Sequence, residues 1–217
     1  MRIILRCWPA LLLIFLSGCY PKGPENYTDF DIVYTNYSSD FPFSQRKTYS
    51  LPDSVIKITG DVFNNLGGDG KPEFISPVYS AVILNQVQAD MTKDGWQLVD
   101  KNANPDVILL VSAMVTTTIY YYYDWQYWDW WYPGWDPTWG WYYPGWYYPD
   151  YVTGYSSGSV FIQMVDQQTL RTQGGGNVPI VWNCILNGLT EGSTAQITAR
   201  GQADIDKAFA QSPYLKH

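Results

Sequence analysis

Between Tyr120 and Tyr151, 19 of 32 residues are Trp or Tyr, eight of the first and eleven of the second. No other feature narrows the possible folds so strongly. Trp131-Tyr132-Pro133-Gly134-Trp135 recurs eleven residues later as Tyr142-Tyr143-Pro144-Gly145-Trp146. Pro and Gly at this density forbid a helix and interrupt any long strand. Residues 120–157 are therefore expected as a long Trp/Tyr-rich loop inserted between two core strands. From Asn102 to Leu170 there is no Lys or Arg, only the acids Asp106, Asp124, Asp129, Asp136, Asp150 and Asp166. Single-stranded nucleic acid also stacks on aromatics, but in a basic groove. With a chain net charge of −7, nucleic acid is excluded as a partner.

Four readings of the aromatic segment stay open. It can fold on itself or across the sheet, each aromatic pair contributing about 0.5–1.5 kcal/mol beyond area burial. It can stack on sugar rings, with Asp carboxylates accepting hydroxyl protons. It can be a protein or assembly interface, or sit at the headgroup level of a membrane. The candidate binding residues are Trp125, Trp128, Trp130, Trp131, Trp135, Trp139, Trp141, Trp146 and Asp136.

The flanking sequence supplies the scaffold. Asp29–Tyr37 alternates and is rich in β-formers, and Lys47–Ile58 reads as a strand broken by Pro52, suited to an edge or a bulge. Asn64–Pro72 is a loop; Asp61, Asn64, Asn65, Asp69 and Glu73 offer oxygens, but not at the spacing of a calcium loop, and no metal site is expected. A helix follows, with Ser76 as N-cap, Pro77 in the first turn, Gly95 beyond the last turn, and Ile83, Leu84, Val87 and Met91 as its apolar stripe. Val107–Val111, continuing to Tyr120, lacks polar alternation and reads as a central strand covered on both faces. Val160–Val165 and Ile180–Leu186 are further strands, separated by a turn region over Asp166–Asn177. Ser193–Gln211 is a second helix, with Ile197, Ile205 and Phe209 on one face. The fold class is α+β: one largely antiparallel sheet backed by two helices, in a single domain over residues 29–214.

The N-terminus carries an address. Arg2 and Arg6 precede the apolar run Trp8–Leu16, which is shorter than the ~20 residues a membrane span needs. Leu16-Ser17-Gly18-Cys19 follows. Residues 1–18 have the build of a signal peptide, and the cut site resembles the lipobox of bacterial lipoproteins. That resemblance implies acylation of Cys19, and two or more acyl chains give a stable anchor where one does not. Residues 19–28 are then a polar tether. Tyr20 after the cysteine implies, by the same resemblance, the outer membrane over the inner. Cys184 is left without an intramolecular partner; sharing a strand face with Ile180, Trp182 and Leu186, it reads as a buried, inert thiol.

The stretches DIVYTNYSSDFPFSQRKTYSLPDS, NPDVILLVSAM, GSVFIQMVDQQT, PIVWNCILNG and IDKAFAQSP, in this order after a lipobox, resemble the bacterial envelope lipoproteins of domain-of-unknown-function family 4136. The resemblance covers residues 29–118 and 155–214. Asn183-Cys184 depart from the pattern, in which a small residue or Arg-Gly commonly follows the tryptophan. It implies an α+β lipoprotein and supplies no catalytic residues. Nor does the rest of the chain. His217, the single histidine, is C-terminal, where chains fray, and no serine has the G-x-S-x-G context. Asp124, Asp129, Asp136 and Asp150 could supply a glycosidase-type carboxylate pair, but a Pro/Gly-rich loop is a poor scaffold for one. The expectation is a non-catalytic, cofactor-free protein held to the membrane through Cys19. Its aromatic loop serves protein interaction or envelope assembly, or alternatively binds peptidoglycan or surface polysaccharide.

Overall fold

The computed structural model describes residues 31–58, 73–114, 140–142 as backbone only, 158–173, 177–189 and 192–217. The strands are β1 (Ile32–Tyr37), β2 (Thr48–Ser50), β3 (Ile56–Ile58), β4 (Gln97–Leu98), β5 (Val107–Met114), β6 (Gly140–Tyr142), β7 (Ser159–Asp166) and β8 (Asn177–Asn187). The helices are α1 (Pro77–Lys93), α2 (Gln167–Gln173) and α3 (Thr194–Ala210). The sheet runs β1-β8-β7-β5-β2-β4, with β3 beside β5 and β6 beside β8. The long pairs β1–β8, β8–β7 and β7–β5 are antiparallel; the short strands β2, β3 and β4 pair in parallel. This is the expected α+β fold with a mainly antiparallel sheet.

The unbroken apolar run makes β5 the spine, and every residue in it is buried. Val107, Leu109, Val111 and Ala113 meet the face shared by α1 and α3, where Ile83, Leu84, Val87 and Met91 of the first helix and Ile205 and Phe209 of the second close the core. Ile108, Leu110 and Met114 on the other face are buried as well. The strand is covered on both sides, as a run without polar alternation requires.

Several expectations need correction. Asp166–Asn177 is not simply a turn: it contains α2, started by Asp166, whose Oδ1 accepts the backbone N–H of Gln168 and Thr169 at 3.1 and 3.2 Å. Pro52 divides Lys47–Ile58 into β2 and β3, and β2 lies inside the sheet, between β5 and β4. A register shift near Val181 pairs Val165 with Ile180 but Met164 with Trp182. This bulge turns Ile180 away from the face of Trp182, Cys184 and Leu186, which remain together in the core. Cys184 is fully buried, and burial pushes its thiol well above its ordinary range.

The C-terminus does not fray. The backbone N–H of His217 donates to the Asp94 carbonyl at 2.9 Å, and its ring meets Trp96 edge-on at 4.8 Å. Gly95, at φ +95°, allows this approach, since a Cβ there would stand 2.9 Å from the His217 Cβ. Ser76 precedes α1 as expected, yet its side chain makes no capping bond. The Asn64–Pro72 loop and residues 115–120 lie outside the described residues.

Candidate functional site: an apolar cavity at the tether end of the sheet

The pairing Ile32↔Asn187, Val160↔Leu186 and Met114↔Ser159 places the start of β1, the end of β8, the start of β7 and the end of β5 at one end of the sheet. The N-terminal segment therefore joins the domain where the aromatic segment leaves, after Met114, and where it returns, at Gly158. The Gly158 N–H donates to the Met114 carbonyl at 2.7 Å and closes that neck. In mid-segment, Gly140–Tyr142 pairs in parallel with Asn177–Pro179, at the far end of β8. The segment thus starts and finishes at one end of the sheet and reaches the other.

The first described residue of the N-terminal side, Asp31, is held by α3. Arg200 grips its carboxylate through Nε, at 2.7 Å, and through Nη2; the same Nη2 donates to the Gly188 carbonyl at 2.7 Å. Both charged side chains are nearly buried, at 9% and 5% exposure. A fork held from two sides is the strong form of this contact. Asp204, one turn along α3, lies close enough to feel Asp31. Burial first, and then the Asp31 charge, push its carboxyl up to about 6.

One residue beyond Arg200 a cavity of about 440 Å³ opens between α1, α3 and this end of the sheet. Ala113 and Val160, with the strand ends at Met114 and Gly158, border it on the sheet side, Ile83 and Tyr79 on the α1 side, and Ile197 and Gly201 on the α3 side, with Leu189 beside Gly201. Its size falls within the ~300–1,000 Å³ of ligand pockets. Its polar side chains are Lys57, Ser76, Tyr79 and Thr198. Lys57 Nζ meets Glu73 Oε2 at 2.7 Å, and both side chains are partly exposed, at 34% and 51%. The Tyr79 hydroxyl donates to Thr194 Oγ1 at 3.3 Å, bridging the two helices. The rim also holds the N-terminus of α1, uncapped by Ser76 and without an acid in its first turn, so that its positive dipole end is not neutralised. Ile32, Phe74 and Val78, three of the five large apolar side chains exposed among the described residues, belong to elements at this same end.

The structure gathers residues that sequence reasoning did not single out. They come from α1, α3 and three strands, so no local motif announces them. The one legible sign was Gly201, an isolated glycine inside a helical pattern. Of the residues read from sequence, Cys19, Trp125, Trp128, Trp130, Trp131, Trp135, Trp139, Trp146 and Asp136 lie outside the described residues, and Trp141 is described only as backbone in β6. No group of three or more potential metal ligands occurs among the described residues, and no described helix is long and apolar enough to cross a membrane.

A family model described as a domain of unknown function, DUF4136, matches residues 33–214. Among solved structures the chain is similar to a DUF4136 family protein from Bacteroides thetaiotaomicron, with 29% identity over 87% of this chain and 98% of that one, and a TM-score of 0.63. A PDZ domain protein from Parabacteroides distasonis aligns at 16% identity over 87% of this chain and 37% of that one, with a TM-score of 0.41. No curated protein matches the chain.

Proposed function

We propose, starting from the fact that this chain belongs to the DUF4136 family of domains of unknown function, that it is a non-catalytic lipoprotein of the cell envelope. In this reading Cys19 carries the lipid anchor, at the outer membrane, and the Trp/Tyr segment docks on another envelope component or on a second copy. One observation supports it above the others. The N-terminal side and both ends of the aromatic segment meet at one end of the sheet, with exposed Ile32, Phe74 and Val78 on neighbouring elements. Trp and Tyr favour the interface between water and lipid. A chain tethered at this end keeps both ends of its aromatic segment close to the membrane, while Gly140–Tyr142 lies at the far end of β8. Tyrosine and tryptophan are also the side chains that dominate protein interfaces.

Two measurements test the reading. Metabolic labelling with a palmitate analogue should mark the wild-type chain and leave Cys19→Ala unlabelled; label persisting in the variant defeats the anchor. For the segment, a photo-crosslinker placed at Tyr147 in intact cells should capture a discrete partner. That crosslink should vanish in the Trp135→Ala, Trp146→Ala double variant. Intrinsic tryptophan fluorescence should then stay flat on titration with muropeptides and polysaccharides. A saturable response that the double variant abolishes would replace the docking reading with a glycan-binding module.

A further inference from the structure

We propose that the cavity between α1, α3 and the tether end of the sheet binds the hydrocarbon tail of a single-chain amphiphile with an anionic head, a long-chain carboxylate, with the head at Lys57. Three observations carry this, and none depends on Cys19. The first is the lining. The lining is mostly apolar, with Lys57, Ser76, Tyr79 and Thr198 as its polar side chains, which is how a site for an apolar tail with one oriented head is built.

The second is Gly201. It lies in the interior of α3, with a backbone that any residue can adopt. A glycine there costs the helix ~1 kcal/mol against alanine. Close approach of another element is the usual justification, and it is missing: a Cβ at Gly201 would meet only Leu189 Cδ1, at an ordinary 3.8 Å. What the missing side chain provides is open space in the cavity wall.

The third is charge. Lys57 engages Glu73 with one of its three N–H donors, and the uncapped α1 N-terminus opens on the same rim. A carboxylate head would share Lys57 with Glu73, taking the two N–H donors that Glu73 leaves, and would face the α1 N-terminus. Phe74, which lines the opening, would shield the first carbons of the tail.

The test uses the mature chain carrying Cys19→Ala, titrated with cis-parinaric acid, a fluorescent long-chain carboxylate, and then with palmitate as competitor. The expected result is saturable binding of one probe per chain and displacement by palmitate. Gly201→Leu, and separately Thr198→Trp, should weaken binding at least tenfold while the circular-dichroism melting curve stays cooperative. Two variants at different depths guard against one of them failing to fold. Lys57→Ala should weaken the acid several-fold and leave the matching long-chain alcohol unchanged. Titration of the lipidated wild-type chain separates two sources of the same chemistry. Undiminished binding means that the tail comes from free fatty acid; loss of binding means that an acyl chain on Cys19 already occupies the cavity, which equally supports a tail site. Absence of saturable binding to the Cys19→Ala chain overturns the proposal, as does unchanged affinity in both filled variants. An alcohol that loses as much affinity as the acid in Lys57→Ala overturns the placement of the head.

Discussion

At the end of the sheet where β5 begins, a dense set of hydrogen bonds ties the elements together, although Tyr49 Oη, Arg46 Nε, Ser38 Oγ and Asp94 Oδ2 are buried without a partner. The Asp106 carboxylate accepts the backbone N–H of Lys47 and Thr48 and the Thr48 hydroxyl at 2.9–3.0 Å, while Gln168 donates to its other oxygen at 2.9 Å. The Trp96 indole N–H donates to the Leu215 carbonyl and that of Trp182 to Ser212, at 2.8 and 2.9 Å; Tyr214 stacks on Tyr37 at 3.7 Å. At the end where β5 finishes, the pattern inverts. A helix N-terminus is left uncapped, a cavity of about 440 Å³ is left open and a helix interior carries a glycine. A fold of marginal net stability tolerates such defects where something other than folding requires them. The first end secures the structure and the second is arranged for use.

The sharpest way to break this division is to attack the secured end. Trp182 is fully buried against Phe209 and the strand core. Trp182→Ala should lose about 3–5 kcal/mol and leave the Ser212 hydroxyl with Tyr214 as its remaining side-chain partner, a loss read directly from urea unfolding. A loss below ~1 kcal/mol would mean that this end is looser than its contacts imply. Filling the cavity from the other end should cost far less, and the contrast between the two is the prediction.

Acid comes next in size, because Asp90 at the α1–α3 seam and Asp204 on the Asp31 side of α3 are buried without enough compensation. Asp90 is pushed up to about 6, by burial first and then by Asp206 across the seam, against the Gln86 amide that holds it down. Asp204 is likewise pushed up to about 6. Their ordinary value is 3.8. Between these limits the folded chain holds protons that the unfolded chain has released, so stability falls as pH rises through that window. The melting temperature should rise on going from pH 7.5 to pH 5, and Asp90→Asn with Asp204→Asn should raise it at pH 7.5 and flatten the profile. A profile that is flat in the wild type would show that these two carboxyls are wetter than their burial indicates.

Asp106 should behave in the opposite sense, with a smaller effect. Burial raises its carboxyl, but the Lys47 and Thr48 backbone N–H groups, the Thr48 hydroxyl and the Arg46 charge outweigh it and hold it below 3.8. Its contribution is therefore present above the ordinary carboxylate range and disappears as pH falls. Asp106→Ala should cost about 1–3 kcal/mol at pH 7 and less in acid. A cost that does not shrink in acid would place the effect in packing and not in these hydrogen bonds.

The two ends also differ in how much of them could be read in the sequence. Runs and caps were legible because they act locally. Val107–Val111 could only be a buried strand, and Pro77 with Gly95 bracketed α1. Ser193 and Gln196 form a full capping box on α3, Gln196 bonding back to the Ser193 N–H at 2.8 Å. What escaped was whatever depends on a partner distant in sequence. The bulge at Val181 is set by the β7 register, β2 is drawn inside the sheet by β4 and β5, and His217 is immobilised by Asp94 and Trp96. The start of α2 was a local signal passed over: Asp166 is a sound N-cap, hidden by the turn-forming residues that follow. The cavity was invisible for the same reason as the bulge, since its walls come from separate elements and only their assembly encloses space.

The smallest expected effect gives the cleanest discrimination. Gly201→Ala adds one methyl to a helix interior where the nearest atom, Leu189 Cδ1, stands 3.8 Å away. Nothing must move, and the helix gains ~1 kcal/mol of propensity. The variant should therefore melt higher than the wild type by urea or heat. If Gly201 serves only the packing of α3, the substitution should destabilise, because a methyl that strains the seam outweighs the propensity gain. If the glycine keeps room in the cavity, the variant should be both more stable and a weaker binder of cis-parinaric acid. Stability and binding then move in opposite directions through a single methyl, which is the behaviour of a wall residue in a binding site and not of a residue that holds the fold together.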